Sequence, residues 1–385
     1  MTRPIGVRWI SSQPDSGYGH AAIGYLAALE ALGIPVTWTP LIWRDGHSGA
    51  FLDYRGPLAH LAHRAIDYDT VVVHTPPGNH RRFLTGEGRR RAVLCTVWET
   101  DLPPVQWAES WSDFDMVLVP TRFNRDSLVA TVPGVDVRVI PHCARQPGDV
   151  PPASLARVGD RYVFYTIGTW STRKAMPETV TAFLDAFTAA DDVALVVKTG
   201  RLDAAVSRRI ERAQPGGGAN RWQATTARSL ATVLAGRRNV PEIVLVPTHL
   251  ADHAVDAIHR RGDCYFSLTR SEGWGLGVFD ALLFGNPAVV TGWGGQLDYL
   301  GADYPLLVGY DLAPTSSDVE DDWFEARDDR FWARARHDDA VDVLRWVAAH
   351  REESAAIGAA QGARLAQEYA PDAVGRRLLA ALSTA

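Results

Sequence analysis

Short apolar runs alternate with amphipathic stretches along most of the chain. The runs at 6–11, 36–40, 70–74, 92–97, 137–141, 162–167, 193–197, 243–247, 264–268 and 287–291 are five or six residues long and mostly rich in Val, Ile and Leu. Short, near-continuous apolar runs are the pattern of parallel strands buried on both faces. Between them lie segments with helical periodicity. Residues 21–32 carry Ile23, Leu26, Leu29 and Leu32 on one face, and 177–189, 251–260 and the start of a helix at Leu276 follow the same rule. Strand–helix alternation of this kind predicts an α/β protein with open, mostly parallel sheets. The pattern breaks at 145–160, RQPGDVPPASLARVGD, where Pro, Gly and polar residues mark a boundary. The predicted organisation is an N-terminal domain over 1–147, a linker over 148–160, a second domain over 161–355 and terminal helices over 356–385. Residues 331–348 are predicted helical, and 214–220 and the acidic stretch 318–330 are predicted exposed loops.

Composition sharpens this picture in a few places. At 385 residues the chain is long enough for two domains of ordinary size. A net charge of −6 argues against a general nucleic-acid binder. No run approaches the roughly 20 apolar residues of a membrane span, and the first residues lack a signal-peptide pattern, so the expectation is a cytoplasmic protein without membrane contact. Cys95, Cys143 and Cys264 are dispersed and lie in or beside apolar strands, which fits reduced thiols better than disulfides or metal ligands. The paired aspartates of 318–330 lack the strand and histidine context of a metal site, so no metal is assigned. Lysine occurs only at Lys174 and Lys198, against abundant arginine.

The richest chemistry lies between Cys264 and Tyr299. The strand there ends in the polar turn Thr269-Arg270-Ser271. Glu272 follows, then glycines at alternate positions, Gly273, Gly275 and Gly277, with Trp274 and Leu276 between them. A helix then opens, and Gly285 is placed to end it. A Gly-rich turn at a helix N-terminus gathers free N–H groups and the positive end of the helix dipole, which suits an anion. Glu272 is predicted at the C-terminal end of a strand, where open α/β sheets bind ligands. Asp280 sits eight positions on, about two helical turns away. Two carboxylates so spaced can hold two separated hydroxyl-bearing parts of one ligand. A nucleotide-sugar has that form: sugar hydroxyls, a diphosphate, then ribose hydroxyls. Against this stands the plainer possibility that Glu272 is a solvated cap on a buried turn.

Lys174 and Lys198 each fall at the C-terminal end of a predicted strand in the second half, and two cations there suit a leaving diphosphate. In the first half, Gly17 and Gly19 form a glycine turn between the first strand and its helix. The third glycine of GxGxxG is missing, so a dinucleotide site is not supported. His74 ends a strand before the rigid turn 75–79. Arg81, Arg82 and Arg89 to Arg91 make a local basic patch, read as solvated surface. Trp98 and Glu99 end another strand; an aromatic face and a carboxylate are reasonable contacts for a sugar-like acceptor.

The segment SEGWGLGVFDALLFGNPAVV resembles the signature of retaining GT-B glycosyltransferases, above all the GT4 family, whose motif is Glu, seven residues, Glu. Glu272 matches the first Glu, and Asp280 stands at the second. Gly168 to Lys174 resembles the family's GRL-x-x-x-KG turn; Lys174 falls on the lysine that grips the donor diphosphate. Thr169 stands where the family has arginine, and Arg173 is the candidate to supply that charge. Trp98-Glu99-Thr100-Asp101-Leu102-Pro103 and Val119-Pro120-Thr121-Arg122-Phe123 are similar to family segments in the first half. The resemblance implies two Rossmann-like domains facing each other across a cleft, with the final helix crossing back to the first. It implies that Glu272 contacts the donor sugar, that backbone from Gly273 to Leu276 lies by sugar and phosphate, that Asp280 holds the ribose, and that the Gly17–Gly19 turn faces the interdomain cleft.

The resulting expectation is a retaining, metal-independent glycosyltransferase without a bound cofactor. Glu272, Lys174, Lys198 and Arg173 would act in catalysis. Gly17, Gly19, Thr169, Gly273, Trp274, Gly275, Leu276 and Asp280 would bind a UDP-, GDP-, ADP- or dTDP-sugar. His74, Trp98 and Glu99 would bind a carbohydrate or secondary-metabolite acceptor. Alternatives are a GT-B sugar-nucleotide epimerase or hydrolase, and a non-catalytic GT-B partner subunit. The oligomeric state is left open.

Overall fold

The computed structural model describes residues 5–44, 47–76, 81–88, 90–104, 107, 111–213, 224–315 and 329–383. The 214–220 loop, most of the 318–330 acidic stretch, Arg89 and residues 77–79 of the turn after His74 lie outside them. The chain forms two compact units, residues 1–145 with 365–385, and residues 146–364.

In the first unit a seven-stranded sheet has the order β3-β2-β1-β4-β5-β6-β7. The strands are β1 (Val7–Ser12), β2 (Val36–Arg44), β3 (His47–Ala50), β4 (Thr70–His74), β5 (Arg91–Cys95), β6 (Met116–Val119) and β7 (Val137–Val139). All pairings are parallel except β2 with the edge strand β3. The central strands are buried on both faces, which accounts for their unbroken apolar runs. Helix α1 (Gly17–Ala31) covers the sheet beside Trp9, and α2 (Arg122–Thr131) lies against β6 and β7.

In the second unit a six-stranded parallel sheet runs β10-β9-β8-β11-β12-β13. Its strands are β8 (Tyr162–Ile167), β9 (Val193–Thr199), β10 (Glu242–Pro247), β11 (Cys264–Ser267), β12 (Ala288–Thr291) and β13 (Leu307–Val308). Helices α3 (Met176–Ala186), α4 (Ala204–Ala213), α5 (Thr226–Leu234), α6 (Asp252–Arg261), α7 (Leu276–Leu283) and α8 (Leu297–Leu300) connect them. The order doubles back at β8, with β9 on one side and β11 on the other. That reversal is the switch point where loops from adjacent strands part and leave room for a ligand.

Two expectations are corrected here. Residues 331–348 are not one helix. Phe331–Ala335 forms β15, antiparallel to β14 (Tyr310–Pro314), and only then does α9 (His337–Ala349) begin. Trp332 is buried by this pairing, and Ala333 N–H donates to Arg270 C=O at 3.0 Å. A five-residue strand whose partner lies across an intervening segment leaves little trace in local periodicity. Helix α1 also starts earlier than its apolar pattern suggests. Ser16 is its N-cap and accepts from Gly19 N–H at 3.3 Å, so Gly17 and Gly19 lie in its first turn.

Two further helices close the chain, α10 (Arg351–Glu368) and α11 (Pro371–Leu382). Gly358 and Gly362 let α10 lie directly on the backbone of the last turn of α7 and the residues just after it. A Cβ on Gly362 would sit 2.0 Å from Leu282 O, and one on Gly358 2.3 Å from Pro287 N. Helix α11 packs on α1 in the first unit, where Gly375 faces Ala28.

A candidate anion and sugar site in the second unit

Three loops meet at the C-terminal ends of β8, β11 and β12. The first runs from Gly168 to Ala175, between β8 and α3. Gly168 N–H donates to Lys198 C=O at 3.1 Å, which ties this loop to the end of β9. A Cβ on Gly168 would lie 3.8 Å from the Lys174 side chain, so the lysine stem passes close over this glycine. The loop closes at Ala175, which is buried with φ 47° and ψ 42°. That is left-handed backbone, uncommon for a residue with a Cβ. It turns the chain into α3 directly after Lys174.

The second loop, Leu268 to Gly275, carries Glu272 and docks onto the first. Arg270 N–H donates to Arg173 C=O at 2.8 Å, and Thr269 Oγ1 lies 3.3 Å from the same carbonyl. Arg173 returns a guanidinium hydrogen bond to Ser271 C=O at 2.6 Å. Arg270 is itself buried, pairs with Glu178 at 2.7 Å and stacks its guanidinium over Trp332. A third loop, Gly292 to Gln296, closes the far side. Gly295 N–H donates to Glu272 C=O at 2.7 Å, and Gln296 anchors the loop through Thr291 C=O at 2.6 Å.

These contacts put Glu272 at the centre. Only 8% of it is exposed. One carboxylate oxygen takes Lys174 Nζ and, at 3.0 Å, Thr269 Oγ1; the other takes Arg173 at 3.1 Å. Burial alone would raise the Glu272 carboxyl. The charges of Lys174 and Arg173, with hydrogen bonds from Lys174 and Thr269, outweigh it and hold the group at about 2. It is therefore an anion at any ordinary pH. Both cations remain partly open to solvent.

Helix α7 starts immediately beyond. Its N-cap, Gly275, has φ 86° and no side chain to cap the first N–H groups. Gly277 is demanded by packing, since a Cβ there would meet Tyr265 Oη at 2.6 Å. Leu276 is half-buried and Gly273 buried. Trp274 is also buried, against Phe279 and Tyr299, and serves the core under the loop. Asp280 is half-buried; its charge adds to the burial that raises the phenols of Tyr165 and Tyr265. Thr169 is exposed at the start of the first loop. Lys198 is half-buried, its pKa is lowered by desolvation, and its ammonium has no ion-pair partner among the described residues. The structure thus gathers Arg173, Lys174 and Glu272 in direct contact, with Gly168 tied to Lys198.

The other expected residues belong to the first unit. His74 is buried, its ring packed among Trp9, Tyr18 and Tyr25, and burial lowers its pKa to about 3. It is a neutral imidazole in an aromatic cluster. Trp98 is buried edge-on to Trp107 and donates to Leu102 C=O at 3.0 Å, so its ring has no open face for stacking. Glu99 beside it is half-buried. Gly19 is required internally, because a Cβ there would lie 1.8 Å from Gln13 O; Gly17 is exposed. Arg82 and Arg90 of the basic patch rest over Phe83 and Tyr68. Among the described residues no cluster of His, Cys, Asp or Glu is arranged to hold a metal ion, and no helix is long and apolar enough to cross a membrane.

Residues at the site that sequence analysis left without a role are Thr269, Arg270, Ala175 and the Gly292–Gln296 loop. The polar run Thr269-Arg270-Ser271 after an apolar strand was the available signal for the first two.

No family model matches the sequence, and no curated protein does either. Solved structures do. HepE of Anabaena in complex with UDP and glucose aligns with a TM-score of 0.63 at 11% identity, covering 98% of this chain and 99% of that one. Sucrose-phosphate synthase from Thermosynechococcus elongatus aligns at 0.62 and 16% identity over the same shares. The trehalose-6-phosphate synthase OtsA aligns at 0.64 and 12% identity over 99% of both chains. The fold is GT-B. In a GT-B chain the six-stranded sheet with the Glu272 cluster is the second of two parallel-sheet domains.

Proposed function

We propose that this protein is a glycosyltransferase that moves a sugar from a nucleotide-sugar to a hydroxyl of a glycan or small-molecule acceptor. The observation that carries the reading is the contact of Arg173 and Lys174 with a buried, ionised Glu272, at strand ends beside an uncapped helix N-terminus. Cations and free N–H groups suit a diphosphate, and a carboxylate fixed among them suits sugar hydroxyls. The structural neighbours support the same class. HepE was solved with UDP-glucose as well as with UDP and glucose.

In the proposed reaction the leaving diphosphate develops charge as its bond to the anomeric carbon breaks. Lys174, Lys198, Arg173 and the first N–H groups of α7 meet that charge. Glu272 orients the sugar through its hydroxyls, and Asp280 holds the ribose. The acceptor oxygen bonds to the anomeric carbon from the face the diphosphate leaves, so configuration is retained. The acceptor proton passes to a phosphate oxygen of the leaving group. No metal ion is required in this scheme, because the side-chain cations do its work.

The test is a thermal-shift panel of UDP, GDP, ADP and dTDP, each bare and as common sugar conjugates, on wild type and Glu272→Ala. A ligand that binds only the folded state raises the melting temperature by mass action. One nucleotide-sugar is expected to stabilise wild type more than its bare nucleotide, and Glu272→Ala to lose that increment. Stabilisation by no nucleotide or nucleotide-sugar would remove the reading.

A further inference from the structure

The two cations best placed for a diphosphate both hold a carboxylate of the chain itself. Lys174 and Arg173 bind opposite oxygens of Glu272, and Thr269 adds a third hydrogen bond. A diphosphate arriving at Lys174 must compete with that carboxylate. Glu272 is almost fully buried, so once Lys174 leaves it there is little water to take its place, and a buried carboxylate short of partners is disfavoured. A ligand that brings only phosphates creates this problem. A ligand that also brings hydroxyl donors to the same spot solves it.

We infer that Glu272 is a resident anion that competes with the diphosphate for Lys174 and Arg173, and so makes the site favour nucleotide-sugar over bare nucleoside diphosphate. The inference rests on the glycosyltransferase reading and gives Glu272 a second task within it. In the free protein Glu272 keeps the cations ordered and neutralised. When the intact donor binds, its phosphates take Lys174 and its sugar hydroxyls donate to the released carboxylate. After transfer the hydroxyl donors leave with the product, the carboxylate reclaims its cations, and the spent nucleotide is expelled. One residue thus sets both donor preference and product release.

The geometry supports such an exchange because the partners differ in freedom. Arg173 is fixed from behind by its bond to Ser271 C=O, and its own carbonyl is held by Arg270 N–H. Lys174 reaches Glu272 on a flexible stem. Lys174 changes partner first, and Arg173 meets the phosphates from the place where it is held.

Titration calorimetry with inorganic pyrophosphate tests this without knowledge of the donor. Glu272→Gln keeps shape and removes the charge. It is expected to bind pyrophosphate about tenfold more tightly than wild type, the order of one charge-assisted hydrogen bond released for the ligand. The gain is expected to vanish when Lys174→Met is added. Glu272→Asp, too short to span both cations, is expected to show a smaller gain and decides the matter if Glu272→Gln does not fold. Pyrophosphate binding no tighter than wild type in the folded variants overturns the inference. The two readings fail separately. Turnover of a nucleotide-sugar without any pyrophosphate gain keeps the glycosyltransferase and removes the resident anion. A pyrophosphate gain in a protein that binds no nucleotide-sugar does the reverse.

Discussion

Lys174 and Arg173 hold the Glu272 carboxyl far below its ordinary value, and that difference is a stability term. A carboxyl with a depressed folded-state pKa stabilises the fold above the unfolded pKa. The stabilisation is lost as pH falls through the folded pKa. For Glu272 the window runs from about 4.5 down to about 2, and the term is on the order of a few kcal/mol. Lys174→Ala removes the nearer cation and a hydrogen bond to a buried anion, so it is expected to cost about 1.5–3 kcal/mol at neutral pH. It should also move acid unfolding to higher pH, as followed by circular dichroism. Turnover of the donor identified by the panel should fall about 10²–10³-fold in the same variant; an unchanged rate would take Lys174 out of the mechanism. The lysine and the glutamate were legible in the sequence because their types, spacings and strand-end positions all point to one chemistry. Thr269 was not. Its hydrogen bond to Glu272 is local, but its partner Arg173 lies 96 residues away, and only the docking of the two loops gives it a role. Trp98 misled for the opposite reason. An aromatic at a strand end suggests stacking, yet the fold turns its ring into the core.

Ala175 shows how an element is aimed. Its left-handed backbone directs α3 away just after Lys174. Glycine adopts this conformation without strain but loses more freedom on folding, so Ala175→Gly is expected to change stability by no more than about 1 kcal/mol. Ala175→Val places a β-branched residue there and is expected to cost about 2 kcal/mol or more in denaturant titration. At the start of α1, Gly19→Ala must push the Gln13 carbonyl aside, and a loss of about 1–3 kcal/mol is expected in the same measurement. Most strands and helices were readable from period, because burial on both faces or one face leaves its mark on consecutive residues; β6 (Met116–Val119), buried throughout, was not among the runs singled out. The β14–β15 hairpin was not readable either. Its pairing joins Tyr310 to Ala335 across the intervening chain, and what secures it is the docking of Trp332 and Ala333 on Arg270.

At the scale of the whole molecule, the last residues of the chain belong to the same compact unit as the first. Val374, Leu378 and Leu382 of α11 are buried, Arg91 donates to Leu382 C=O at 2.6 Å, and Ala144 N–H donates to Tyr369 C=O at 2.7 Å. Deleting residues 365–385 would uncover an apolar stripe on α1. Such a truncation is expected to lose hydrogen-exchange protection across β1, β4 and β5 while β8, β9 and β11 stay protected. Equal loss in both sheets would show that the units do not unfold separately.

The scarcity of lysine turns the site into its own reporter. Apart from the amino terminus, the chain offers only two amines to an acylating reagent, Lys174 and Lys198. Lys174 is ion-paired with Glu272, whereas Lys198 is unpaired among the described residues and sheds its proton more easily than an ordinary lysine. A mild amine-selective dye therefore marks Lys198 first, and a ligand that covers the strand ends slows that marking. Mass spectrometry of a single labelled peptide then reads occupancy directly, with no substrate turned over.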